Sequence, residues 1–265
     1  MGSRVYQDLD FLETDDCRPV RLQLEYMKPE HEMRARGIES TVVVFGSARV
    51  PEPIAAKAAN EAAQKALEAA PGDPALQAAL KISQRRLELS SFYGQAREFG
   101  RLAAEYSLKD PKREFVVATG GGPGFMEAAN RGALEAGGLS LGLNVTLPHE
   151  QHPNPYLSPG LGFEFRYFSM RKMHFMLRAK ALVAFPGGFG TFDEIFEALT
   201  LIQTGKVRRM PVALVGADFW KAAVDWDRLA EWGLVAATDL GLFRICDSAR
   251  EAWDYVLGFW ESNGF

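Results

Sequence analysis

The 265-residue sequence has few of the residues that mark disulfide-rich, metal-binding or membrane proteins. It contains two cysteines, Cys17 and Cys246, and four histidines. Two distant cysteines form neither a disulfide framework nor a metal-ligand spacing, which favours a reducing compartment. No apolar run approaches the roughly 20 residues of a transmembrane helix, and the polar, acidic first residues are not those of a signal peptide. A net charge of −4 provides no basic surface for nucleic acid or anionic lipid. We therefore expect a cytoplasmic protein without a nucleic-acid or membrane partner.

Short apolar runs of strand length alternate along the chain with segments of helical composition. Strands that are apolar along their whole length are typical of a parallel sheet covered on both faces. The alternation predicts one α/β domain over residues 1–265, with a doubly wound, mostly parallel sheet and helices on both faces. In such sheets ligands bind beyond the carboxyl ends of the strands. The candidate strands are residues 41–46, 114–120, 139–147, 181–185, 211–216 and 241–246.

Two segments do not fit the α/β repeat. Residues 1–38 precede the first strand and form an N-terminal arm, which we expect to be extended or a short helix. Residues 51–92 are rich in Ala, Glu, Lys and Gln, which have high helix propensity, and are interrupted by "PGDP" at 71–74. This pattern predicts an inserted helical hairpin. Because it offers small residues for close packing and no acid–base pair, we expect it to support assembly rather than chemistry.

The first glycine cluster, "TGGGPGFMEAAN" at residues 119–130, joins a predicted strand to a predicted helix. Glycines there allow a ligand to approach the backbone, and the helix N-terminus adds positive potential. Gly120, Gly122 and Gly124 give G-x-G-x-G rather than the dinucleotide pattern, and no Lys-Ser/Thr ending of a P-loop follows. A mononucleotide or sugar phosphate therefore fits better than NAD or ATP. The alternative is that these turns only let the helix pack closely on the sheet.

The second cluster, "PGGFGTFDE" at residues 186–194, has two interpretations of similar weight. Thr191 and Glu194 form T-x-x-E, a capping box, and Asp193 would lie in the first helical turn. A cap does not require the surrounding glycines, however, so a catalytic acid beside a phosphate site is the second interpretation. Such a site suits a ligand that is negative at one end and becomes positive at the other. A nucleoside 5′-monophosphate losing its base is one, because its ribose passes through an oxocarbenium-like state.

The third element is the segment "FRYFSMRKMHFMLRAKA" at residues 165–181, in which Arg171 and Lys172 stand among apolar residues. Charged side chains on an apolar helix usually extend to solvent, which is the structural interpretation. A functional arginine would instead face the glycine loops and hold phosphate or sugar hydroxyls.

Together, these three motifs resemble the LONELY GUY (LOG) family, cytokinin riboside 5′-monophosphate phosphoribohydrolases often labelled possible lysine decarboxylases. The family motif P-G-G-x-G-T-x-x-E is matched at every fixed position by residues 186–194, and the three elements follow in the family's order. The resemblance spans about residues 41–216. "LPHEQHPNPY" and "LTLIQTGK" are similar to the larger bacterial members, and the arm and the hairpin are additions relative to short members.

The resemblance implies a Rossmann-like fold and hydrolysis of AMP or a cytokinin riboside 5′-monophosphate to free base and ribose 5-phosphate. It also implies a homodimer, or a higher oligomer built on it, with active sites at the subunit contact. Glu194 is implied as the catalytic carboxylate and Arg171 as its partner. We expect no metal and no cofactor, and no lysine has the context of a pyridoxal Schiff base. The remaining predicted substrate-binding residues are Gly46, Ser47, Gly121, Gly122, Gly124, Met126, Lys172, Gly187, Gly188, Gly190 and Thr191.

A non-catalytic carrier of a nucleotide or cofactor phosphate is the alternative function. A carrier would use the glycine amides, but it would need Glu194 only as a cap. Among the histidines, His149 and His152 lack a third metal ligand nearby, so we expect them at a pocket rim or in solvent. His174 is expected to pack within its helix.

Overall fold

The computed structural model describes residues 4–146 and 152–263. In this part of the chain, seven parallel strands form one sheet in the order β4-β3-β2-β1-β5-β6-β7. The chain thus winds outward from β1 through β4 and then returns to the other side of β1. The predicted doubly wound, Rossmann-like α/β fold is confirmed, and the sheet is entirely parallel. The strands are β1 Thr41–Phe45, β2 Val116–Thr119, β3 Ser140–Val145, β4 Gly162–Phe165, β5 Ala179–Ala184, β6 Val212–Val215 and β7 Phe243–Cys246.

The described helices include the predicted hairpin and the two helices that follow the glycine loops. Within these residues, no helix is long and apolar enough to cross a membrane. The helices are α1 Leu9–Leu12, α2 Arg18–Ala35, α3 Pro53–Ala69, α4 Pro74–Leu89, α5 Ser91–Lys109, α6 Phe125–Glu135, α7 Phe168–Leu177, α8 Phe189–Gln203, α9 Ala217–Ala223, α10 Trp226–Glu231 and α11 Ala249–Ser262.

The central strands are buried over their whole length, which explains their apolar sequences. All five residues of β1 are buried, as are all four of β2 and of β6. Helix α6 packs on β1, β2 and β3, and it lies against α5 so closely that Gly132 in α6 is required. A Cβ atom at Gly132 would lie 2.8 Å from the carbonyl carbon of Arg97. This packing fixes α6, and with it the glycine loop that precedes α6.

The strand predictions differ from the structure in one missed strand and in the ends of several others. Strand β4 was not predicted because it lies at the edge of the sheet and only Phe165 of its four residues is buried, so it lacks an apolar run. Strand β5 begins at Ala179, two residues before the predicted start. Strand β7 begins at Phe243, since Ala237–Leu242 forms a 3-10 helix.

The two segments outside the repeat are both helical. Helix α2 is 18 residues long, so the described part of the arm, residues 4–38, is neither extended nor limited to a short helix. It packs on α7, where the buried His174 lies with Nε2 2.9 Å from the carbonyl oxygen of Glu25. In the hairpin, Asp73 caps α4 by accepting a hydrogen bond from the Ala75 amide (2.8 Å). The hairpin pairs along half-buried residues of its two helices, where Ser83 donates to Asn60 over 3.0 Å.

Candidate active site

Three loops meet where the sheet reverses its direction of winding, between β1 and β5. The amide of Ser47, after β1, donates to the carbonyl of Pro186, after β5, over 3.0 Å. The carbonyl of Ser47 accepts in turn from the amide of Phe125, which begins α6 after β2, over 3.2 Å. The carboxyl ends of three adjacent parallel strands are thereby joined at one point. Such a switch point is where α/β sheets bind ligands.

The glycines of the first cluster allow these loops to approach each other. Gly121 and Gly124 both have φ of +71°, a conformation that residues with a side chain rarely adopt. A Cβ atom at Gly124 would collide with the carbonyl oxygen of Ser47 and lie 3.0 Å from Ala48 Cα. One at Gly46 would lie 2.9 Å from the side chain of Phe125. These glycines are therefore needed for the loop contact itself, whether or not a ligand is bound.

A buried hydrogen-bond network that sequence reasoning missed holds the first glycine loop from below. Asn130 of α6 accepts from the Thr119 hydroxyl (2.6 Å) and from Asn154 Nδ2 (2.9 Å), and donates to the Ser140 hydroxyl (2.8 Å). Thr119 Oγ1 accepts from the amide of Gly121 (2.9 Å). Because these polar groups are buried and satisfied, they fix the loop in one conformation. No local sequence pattern marks these contacts.

Helix α8 begins earlier than the capping-box interpretation requires. Its N-cap is Gly188, and no side chain caps it. Thr191 is therefore the third helical residue, and Glu194 the sixth. The predicted capping box is wrong, and Asp193 lies beyond the first turn. The three extra helical residues, nearly one turn, place Glu194 on the inner face of α8, with a side chain only 7% exposed.

The buried Glu194 carboxyl has a strongly perturbed pKa. Burial raises the pKa to about 7, although Lys172 and Arg171 act in the opposite direction. A carboxyl whose folded pKa exceeds the ordinary 4.5 favours the folded state when protonated, so its contribution to stability falls as pH rises from about 4.5 to 7. A capping carboxylate would instead stabilise the fold when charged. A group that costs stability at neutral pH inside a cleft is typical of a functional site.

Arg171 lies against the first glycine loop rather than in solvent. Its Nε donates to the carbonyl of Leu143 over 2.7 Å, and its guanidinium lies 5.1 Å from the ring centre of Phe175. A Cβ atom at Gly120 would lie 2.7 Å from Arg171 Nη2 and 2.9 Å from Met126 Sδ. Burial lowers the pKa of Arg171, but a guanidinium remains charged in proteins. A fixed positive charge therefore borders the loop.

Lys172 connects α7 with the acids of α8. Its Nζ lies 2.9 Å from Asp193, 2.8 Å from Glu197 and 3.8 Å from Glu194. The side chain is 18% exposed, so the interpretation of Arg171 and Lys172 as solvated charges is wrong. Burial lowers the pKa of Lys172, but hydrogen bonds to Glu197 and Asp193 outweigh it and raise the pKa overall. The lysine is therefore a positive charge beside a carboxyl that titrates near neutrality.

In the second cluster, Gly187 packs on Thr191, whereas Gly188 and Gly190 have open space where a side chain would be. Phe189, between them, is 95% exposed. Of the two histidines expected at a pocket rim or in solvent, His152 is exposed and His149 lies outside the described residues. Within residues 4–146 and 152–263, no group of three His, Cys, Asp or Glu side chains could hold a metal ion.

Comparisons with known proteins agree with the motifs at this site. The sequence model of the family described as "Possible lysine decarboxylase" matches residues 126–256. Cytokinin riboside 5′-monophosphate phosphoribohydrolase LOG2 of Arabidopsis thaliana is 29% identical over 127 residues, which are 46% of this chain and 58% of the relative. The probable phosphoribohydrolase LOG4 of Oryza sativa subsp. japonica is 28% identical over 171 residues, 63% of this chain and 70% of the relative.

The chain is similar to the LONELY GUY family. It spans less than two thirds of the length of the first of these relatives. The X-ray structure of TM1055, a structural genomics target, aligns with 83% of this chain and 99% of its own at 24% identity, with a TM-score of 0.49. Met126, Arg171, Lys172 and Glu194 lie inside the segment that matches the family model, whereas the Ser47 loop and the α3–α4 hairpin lie outside it.

Proposed function

We propose that this protein hydrolyses the N-glycosidic bond of nucleoside 5′-monophosphates, AMP or a cytokinin riboside 5′-monophosphate, to free base and ribose 5-phosphate. The observation that carries the proposal is Glu194, a buried carboxyl with a pKa of about 7 beside glycine loops at the switch point of the sheet. The names of the relatives describe the same reaction class at 26–30% identity.

In this proposal the substrate phosphate binds the amides of the glycine loops and the N-terminus of α8, which supply hydrogen bonds and positive potential. As the bond from C1′ to the base breaks, its electron pair leaves with the base, which takes up a proton. The ionised Glu194 stabilises the positive charge that develops on the ribose and accepts a proton from the attacking water, whose oxygen bonds to C1′. Arg171 holds the substrate at the first glycine loop.

Two other functions are less well supported by the geometry. A phosphate carrier would use the same amides, but the buried Glu194 does not cap α8 and would have no role in it. A lysine decarboxylase would need a lysine that forms a Schiff base with pyridoxal phosphate. Lys172 lies beside the site, but its ion pairs with Asp193 and Glu197 keep it protonated, so it does not fit that role.

The substrate requirement tests the proposal directly. We expect AMP to be cleaved with a kcat/KM about 10³-fold above that of adenosine, since binding of the remote phosphate is used to lower the barrier at C1′. Free base and ribose 5-phosphate are the products to measure. Comparable kcat/KM values for AMP and adenosine would contradict the proposal. Saturable AMP binding without turnover would favour the carrier.

We also propose that the protein acts in the cytoplasm, which is consistent with its two unpaired cysteines. We propose in addition that its partner is a second copy of this chain. A groove of about 770 Å³ borders Lys172. Its lining combines apolar residues, among them Met173, Leu177 and Leu201, with charged ones such as Arg178 and Arg208. Leu177 in this groove is 46% exposed, and Phe189 at the start of α8 is 95% exposed. A second copy that covers this face would also close the site to water.

Light scattering tests this contact. We expect a mass of two or more chains for the wild type and of one chain for Leu177→Glu, because a buried unpaired carboxylate opposes association. Leu108→Glu, a matched change at an exposed leucine that does not line the groove, should keep the wild-type mass. A monomeric wild type would exclude the contact.

A further inference from the structure

The α3–α4 hairpin encloses a second cavity, of about 380 Å³, against the loops that follow β1 and β2. Ala56 and Ala59 of α3 form one wall, Arg86 of α4 a second, and Arg49 and Gly124 of the two loops a third. Small side chains on α3 leave the space open. The volume lies within the roughly 300–1,000 Å³ of small-molecule sites.

The charges in this cavity are unevenly paired. Its acids are engaged, since Glu52 pairs with Arg131 (3.3 Å) and Glu127 accepts from the Tyr93 hydroxyl (3.0 Å). Its two guanidinium groups, on Arg49 and Arg86, make no ion pair and no side-chain hydrogen bond with any other residue that the structure describes. The Tyr93 hydroxyl is neutral, so Glu127 keeps its charge, but the guanidinium groups of Arg49 and Arg86 have no anionic partner among the described residues and can bind an anion.

The unpaired guanidinium groups are not a general property of the hairpin. Arg85, the preceding residue of α4, pairs with Glu88 over 2.6 Å and does not line the cavity. Two arginines from distant parts of the chain, 37 positions apart, reach the same concave surface. Guanidinium groups bind phosphate oxygens through paired, charge-assisted hydrogen bonds.

We propose that this cavity is a second binding site, separate from the candidate active site, for a small phosphorylated molecule held by Arg49 and Arg86. The two sites share loops. Ala48 and Gly124 line the cavity, and Gly124 also packs on Ser47 beside the switch point. A ligand in the cavity thus contacts the back of the loop that we assign to the substrate phosphate. We thereby assign to the hairpin a role in ligand binding that its amino-acid composition does not predict.

Calorimetric titration of the full-length protein with inorganic pyrophosphate tests this site. We expect Arg49→Gln and Arg86→Gln each to raise the dissociation constant of one class of pyrophosphate sites about tenfold or more. Each substitution removes a charged hydrogen-bond donor. Glutamine keeps the helix propensity of α4, and circular dichroism checks the fold. Arg85→Gln, the matched control, should leave the isotherm unchanged.

Arg171→Ala separates this site from the candidate active site. We expect Arg171→Ala to leave the pyrophosphate affinity of the sites that depend on Arg86 unchanged. This expectation holds even if AMP proves not to be a substrate. Wild-type affinity in both the Arg49 and the Arg86 variants would overturn the proposal. So would a wild-type protein whose pyrophosphate binding is lost entirely with Arg171.

Discussion

Glu194→Gln is expected to lower kcat on the best 5′-monophosphate by about 10²–10³, or ~2.7–4 kcal/mol, which is the usual effect of removing one charge-stabilising group. Glutamine is nearly the same size as glutamate, so the packing of α8 should be retained. The negative charge that faces the ribose is lost, whereas the glycine amides remain. The loss should therefore appear in kcat, with KM nearly unchanged.

The pH profile gives the same prediction a second readout. In the proposed mechanism the ionised carboxyl is the active form. Burial raises its pKa to about 7, so the wild-type rate should rise with pH through about 7 and then level off. Glu194→Gln cannot titrate and should lack this rise. Asp193→Asn, the adjacent acid with a 58% exposed side chain, should cost much less. A Glu194→Gln protein with near wild-type kcat would return Glu194 to a structural role.

The sheet could be predicted because burial on both faces leaves a local pattern. Strands β1, β2 and β6 are continuous apolar runs, as expected when helices cover both sides of a parallel sheet. Strand β4 was missed for the complementary reason. It pairs at the edge of the sheet with a mostly solvent-accessible sequence, so its position depends on pairing with β3 rather than on its own composition.

The residues of the candidate site were found through motifs, but their geometry was not. The T-x-x-E pattern suggests a cap at Thr191, whereas α8 begins at Phe189 because Gly188 provides the N-cap. Because α8 starts earlier than the pattern suggests, Glu194 is a buried carboxyl within the helix and not a capping group at its end. The contact of Asn130 with Asn154 joins residues 24 positions apart, and contacts of that kind leave no periodic pattern in a sequence. The cavity behind the α3–α4 hairpin also leaves no periodic pattern in the sequence.

Gly187→Ala is expected to destabilise the protein by about 1–3 kcal/mol, the usual cost of overpacking, and to reduce kcat/KM by up to about 10². A Cβ atom at Gly187 would overlap Thr191 Oγ1 and lie 2.5 Å from Thr191 Cβ. The hydroxyl could rotate away, but the Cβ is fixed by the backbone. The first turn of α8 must therefore move, and with it the amides and Glu194.

Gly190→Ala is the matched control, three residues along the same loop and helix. It has open space for a Cβ atom and helical backbone within α8, so alanine should stabilise the fold by up to about 1 kcal/mol. Urea unfolding measures the free energy of unfolding of both variants. We expect it to fall in Gly187→Ala and to rise in Gly190→Ala. Equal stabilities would contradict the Gly187–Thr191 contact, and a destabilised Gly187→Ala with full activity would show that the position of α8 does not limit catalysis.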